Sequence, residues 1–140
     1  MFKVGDRVWV IDDKKYATIT AIEKRNEYNT FIYIDIDNDN YKGYWRFDCQ
    51  LRQTAQTMFE ALGYEYNGRY DNDDYVTTVY SKVKDGLLYR IGFHEDSKKY
   101  SLSCSKDGDV IVTEFFDFEN ITTQLHLAIH QQLIEKGWIK

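Results

Sequence analysis

At 140 residues, 43% of them hydrophobic and 16% aromatic, the chain has material for one ordinary domain or two very small ones and is too apolar to be a disordered tail. Its net charge of −5 is uneven: residues 1–52 hold nine Lys/Arg against nine Asp/Glu, and residues 53–140 hold nine against fourteen. No run approaches the ~18 consecutive apolar residues of a membrane span, and Met1-Phe2-Lys3-Val4-Gly5-Asp6 lacks the apolar run of a secretory signal, so a cytoplasmic location is expected.

Val4 to Val10 alternates apolar and polar residues after a Gly-Asp turn, the period-2 pattern of a half-buried strand. A polar connection, Asp12-Asp13-Lys14-Lys15, leads to a second strand over Tyr16 to Ile22, and Phe31 to Ile36 forms a third. Asn38-Asp39-Asn40 is a hairpin signal, Tyr41 to Phe47 returns as a fourth strand, and Leu51-Arg52 closes a fifth. The aspartates of 31–47 do not make a calcium loop. Counted from Asp35, the sixth position is Asn40 and the twelfth Arg46, where such a loop needs glycine and a bidentate glutamate. Alternation instead points Ile32, Ile34 and Ile36 inward and leaves the aspartates on the rim.

From Thr54 the period changes. Thr54 is an N-cap, Ala55, Met58, Phe59 and Leu62 recur at helical spacing, and Gly63 stands where the helix ends. After a polar stretch around residues 67–74 come four strands: Tyr75 to Val83, Leu87 to Phe93, Tyr100 to Ser105 and Val110 to Phe116. A last helix runs from about Glu119 to Lys136, with Ile121, Leu125, Ala128, Ile129 and Leu133 on one stripe and Gly137 as its cap. The fold class is therefore α+β. A small all-β barrel over residues 1–52 precedes a domain over 53–140, with a helix at each end of a four-stranded antiparallel sheet.

Chemistry-bearing patterns are sparse. His126 and His130 have a spacing that can present two imidazoles to zinc, but Leu127 stands where a zinc protease carries its glutamate. No serine elbow or phosphate-cradling glycine loop is present, and Cys49 and Cys104 are expected as free, buried thiols. No catalytic residue, metal site or cofactor is assigned. Two candidate contact surfaces remain. The first interleaves tyrosines with carboxylates, Tyr64, Glu65, Tyr66, Tyr70, Asp71, Asp73, Asp74 and Tyr75, which suits a basic protein surface. The second is a barrel face of Trp9, Tyr44, Trp45 and Arg46, suited to nucleic acid or peptide. The acidic excess makes direct nucleic-acid binding the weaker choice.

Two resemblances add to this. The Val4-Gly5-Asp6-Arg7-Val8-Trp9-Val10 run and the strand spacing of residues 2–52 resemble the Src-homology-3-like barrel in its KOW or Tudor form. Met58-Phe59-Glu60-Ala61-Leu62-Gly63-Tyr64 and Ile129 to Trp138 resemble a class of small proteins of Gram-positive phages and mobile elements. That resemblance implies a stoichiometric, non-enzymatic inhibitor of the anti-CRISPR type. The partner it implies is a host nucleic-acid-acting defence enzyme with a basic surface, such as a CRISPR effector nuclease.

Overall fold

The computed structural model describes residues 1–72, 75–106, 109–112 and 122–140, with side-chain environments for all of these except 69–72, 75–77 and 109–112. Contacts divide the chain into two compact units, Met1–Thr57 with Gln131–Lys140, and Met58–His130. The boundary thus lies five residues beyond the expected joint at 52/53, and the last ten residues belong with the first unit.

The first unit is a five-stranded antiparallel sheet of β1 (Arg7–Val10), β2 (Lys15–Lys24), β3 (Thr30–Ile36), β4 (Tyr44–Phe47) and β5 (Leu51–Gln53), in the order β4-β3-β2-β1-β5. Alternation sends Val8, Val10, Ala17, Ile19, Ile32, Ile34, Ile36 and Leu51 into one aliphatic core. A register shift between Ile19 and Ala21 interrupts the β2–β3 ladder, and Ile22 beyond it is left exposed. Asp35 and Asp37 take the opposite face, near Lys42 and Arg7 respectively, and Asn38 turns the hairpin in the left-handed conformation, φ 61°.

The expected barrel is an open sheet: among the described residues no ladder joins β4 to β5. A single turn of 3-10 helix, Asp48–Gln50, carries the chain from one edge strand to the other. At that point the Phe47 N–H donates to the Gln50 side chain (2.9 Å) instead of to a strand. Cys49 lies in this turn and is exposed, against expectation, while Cys104 is buried.

Helix α1 (Ala55–Ala61) begins where expected: Thr54 Oγ1 accepts the Thr57 N–H at 3.2 Å. Beyond it, Gly63 at φ 88° lets the Tyr64 N–H reach the Phe59 carbonyl at 3.0 Å. The second unit then builds a sheet of five strands, not four: β6 (Glu65–Asn72), β7 (Tyr75–Lys84), β8 (Leu87–His94), β9 (Lys99–Lys106) and β10 (Asp109–Val112), paired sequentially and antiparallel. The additional strand is β6. Its Asn67-Gly68 looks like a loop, but the structure absorbs it as a register shift between Tyr66 and Arg69, with Gly68 at φ 82°. The core here joins rings to aliphatic residues such as Ile91 and Leu102: Phe59 stacks on Tyr80 (4.1 Å between centroids) and meets Phe93 edge-on (6.2 Å).

Helix α2 (Thr123–Glu135) buries Leu125, Ala128 and Ile129. The expected start at Glu119, the stripe residue Ile121 and the end of the last strand at Phe116 lie outside the described residues. Gly137, φ 73°, closes the helix, and the Trp138 N–H bonds back to the Leu133 carbonyl at 3.0 Å. Among the described residues no helix is long and apolar enough to cross a membrane.

Candidate functional site

The sequence Tyr44-Trp45-Arg46-Phe47 forms β4, an edge strand, and its register on β3 sorts the side chains. Pairing of Ile34 with Tyr44 and Ile32 with Arg46 places those two on the core-facing side, whereas Tyr33 with Trp45 and Phe31 with Phe47 define an outer row. Phe31, Trp45 and Phe47 form a three-ring cluster, with centroids 4.7 Å apart for Phe31–Trp45, 5.4 Å for Phe31–Phe47 and 5.3 Å for Trp45–Phe47. The Arg25 guanidinium lies 4.4 Å from the Phe31 ring centre. On the chain leading into β4, Tyr41 packs edge-on against Tyr44 at 4.7 Å. Between them Gly43 adopts φ 101°, a conformation only glycine takes readily.

Along this edge runs a concavity of about 630 Å³, lined by Asp12, Tyr41, Gly43, Tyr44, Trp45, Arg46, Phe47 and Gln50. A second, of about 160 Å³, shares Tyr44 and Arg46 and adds Asp13, Lys15, Ile36 and Asp39. The volume of the larger one suits a side chain or short peptide. Its polar groups have definite partners. Arg46 Nη2 donates to Asp13 Oδ2 at 2.8 Å and Nη1 to the Trp45 carbonyl at 2.8 Å. The Tyr44 hydroxyl donates to Asp39 Oδ2 at 3.3 Å, and Gln50 Nε2 to Asp12 Oδ2 at 3.4 Å. Partial burial, reinforced by the Asp39 carboxylate, raises the pKa of the Tyr44 phenol and keeps it a neutral donor.

Elsewhere in this unit three cations sit beside the protein's own acids: Arg7 with Asp37 at 2.7 Å, Arg25 with Glu23 at 3.1 Å and Lys42 with Asp35 at 3.8 Å. Hydrogen bonding to Arg7 holds the Asp37 carboxyl below its usual range.

A different polar cluster surrounds Glu135, in the last turn of α2. Its carboxylate accepts the Tyr16 hydroxyl, the Ala55 N–H (2.7 Å) and Gln131 Nε2 (2.9 Å). Burial pushes its pKa up, opposing those three donors. Its three accepted bonds all come from within the first unit, which makes it a structural tie.

Of the sequence-derived candidates, Tyr44, Trp45 and Arg46 come together and Trp9 stands apart. Trp9 is only 6% exposed and lies edge-on to Tyr16 at 5.0 Å. In the acidic cluster, Tyr64 is 5% exposed, with Phe59 at 5.9 Å and the Lys82 ammonium 5.1 Å from its ring centre, while Glu65 and Tyr66 are exposed. Tyr70, Asp71 and Tyr75 belong to β6 and β7, and Asp73 and Asp74 lie outside the described residues. His126 and His130 are exposed on α2, and among the described residues no three His, Cys, Asp or Glu side chains are grouped to hold a metal.

Sequence patterning did not single out Asp12, Asp13 or Gln50. They converge because β1 pairs with both β2 and β5, which brings the 12–15 connection beside the 3-10 turn. Compared with protein-family models, characterised proteins and solved structures, the chain matches none.

Proposed function

We propose that the protein is a non-enzymatic binding module whose first unit receives a cationic side chain of a partner protein in the aromatic concavity along β4. The observation that carries this is the composition of that concavity. Aromatic rings from both rows of β4 wall it, Trp45 among them 43% exposed, and its one lining arginine is already neutralised by Asp13. Three carboxylates, Asp12, Asp13 and Asp39, border the two concavities against two cations, Arg46 and Lys15, a balance that favours an ammonium or guanidinium over a phosphate.

The strand order β4-β3-β2-β1-β5 and the 3-10 turn between β4 and β5 support the Src-homology-3-like reading of this unit. A host nucleic-acid-acting enzyme with a basic surface, inhibited by occupancy, is the concrete form of partner this chemistry fits. The contact is assigned to β4 because its rings line a concavity; of the 64–75 cluster, Tyr64 packs inward while Glu65 and Tyr66 are exposed.

The test is calorimetric titration with a basic peptide and, separately, a single-stranded oligonucleotide at physiological salt. The peptide is expected to bind, Trp45→Ala to weaken it at least about tenfold and Asp12→Asn a few-fold. Tighter binding of the oligonucleotide, or indifference to Trp45→Ala, would overturn the assignment.

A further inference from the structure

Arg46 is the most enclosed of the ion-paired cations in the first unit, with 20% of its side chain exposed, and it lines both concavities. Three groups from two segments hold its guanidinium: Asp13 from the β1–β2 connection and, from β4 itself, the Trp45 carbonyl and the Tyr44 ring, whose centre is 5.8 Å from the guanidinium carbon. A carboxylate, a carbonyl and an aromatic ring around one planar cation form a complete arginine-recognition set. The Trp45 carbonyl would otherwise be an acceptor on the outer edge of an edge strand, a group such strands normally offer to a partner.

Resting on the cleft reading above, we infer that Arg46 is a resident stand-in for the ligand, displaced by an arginine of the partner. Exchanging one guanidinium for another conserves charge and hydrogen bonds at Asp13 and the Trp45 carbonyl. The Arg46–Asp13 pair retains partial solvent exposure on both partners, 20% and 32%, and an incoming guanidinium restores at Asp13 the charge partner that Arg46 gives up. Arginine is selected over lysine because the site has divergent acceptors and a ring for a planar fork to lie against. An ammonium can address only part of that set.

The test uses acetyl-Gly-Arg-Gly-Arg-Gly and its lysine counterpart, titrated into the full chain and its Arg46→Met variant, which keeps an unbranched apolar stem. Arg46→Met is expected to bind the arginine peptide about three- to tenfold more tightly than the parent and to change lysine binding less. In the parent, the Arg46 guanidinium resonances should shift to solvent-like values as the arginine peptide saturates. Equal or weaker binding by a folded Arg46→Met variant, with the parent still binding, would overturn the stand-in role while leaving the cleft in place. No binding by either protein would remove the cleft reading and this inference together. Should Arg46→Met fail to fold, Arg46→Lys serves: affinity above the parent supports displacement, and affinity at or below the parent refutes it.

Discussion

The two units share an architecture, a five-stranded antiparallel sheet, but place their aromatic residues in opposite ways. In the first, the core is aliphatic, built from Val, Ile, Ala and Leu, and the rings of Phe31, Tyr41, Trp45 and Phe47 gather at one edge. In the second, Phe59, Tyr64, Tyr80 and Phe93 are buried beside aliphatic residues such as Ile91 and Leu102. Among the described residues, large rings are thus central to the second core, whereas in the first unit, Trp9 apart, they lie mostly at its margin. Rings that a core does not need are the better candidates for recognition.

The contrast can be broken most forcefully from the second unit. Phe59→Ala removes a fully buried ring stacked on Tyr80 and should cost about 3–5 kcal/mol, read by chemical denaturation. A loss below about 1 kcal/mol would mean that this unit does not depend on its rings. Next in size, Glu135→Leu leaves the Ala55 N–H, the Tyr16 hydroxyl and the Gln131 amide without their acceptor, an expected loss of about 2–3 kcal/mol.

The pH dependence of that site has a definite sign. Because the folded-state pKa of Glu135 is raised, its contribution is complete below the unfolded value, about 4.3, and declines as pH rises through the folded one. Glu135→Gln, which cannot ionise, should gain thermal stability relative to the parent as pH is raised above about 4.3. A difference in melting temperature that is flat with pH would show the carboxylate to be unperturbed.

Trp45→Ala sharpens the comparison from the other side. With its ring partly in solvent, it should change stability by about 1 kcal/mol or less while weakening peptide binding, a separation Phe59→Ala cannot produce. Smallest of all is Asp37→Asn. Its pair with Arg7 is exposed on both partners, 46% and 41%, so a loss of at most about 1 kcal/mol is expected. The depressed carboxyl confines that loss to pH above the folded value, since the pair's contribution is present above the unfolded pKa and disappears as pH falls.

Local rules made much of this fold legible. Alternation over 31–36 assigned the inward isoleucines, and Thr54 and Gly63 marked both ends of α1, because caps and period-2 burial are written in adjacent residues. Strand β6 was hidden because Asn67-Gly68 carries a turn signature that a bulge can also use. Whether the first sheet closed was equally hidden, since the meeting of two edges is a property of distant segments.

The candidate site divides along the same line. Tyr44, Trp45 and Arg46 were visible as an aromatic-basic run, whereas Asp13, which holds Arg46, is 33 residues away in sequence. Trp9 looked equivalent to them by composition. Its cross-strand partner Tyr16 packs edge-on against it and it is buried, a fact that depends on what covers the face and not on strand periodicity. Tyr64, surrounded by acid in the sequence, is turned back onto Phe59 by the left-handed Gly63.

The tie at Glu135 bears on the order of assembly. Its link to Tyr16 spans 119 residues, and the segment Gln131–Lys140 completes the unit to which residues 1–57 belong. Closing so large a loop is slow compared with local hairpin formation, so this tie is expected to form after the hairpins of the first sheet.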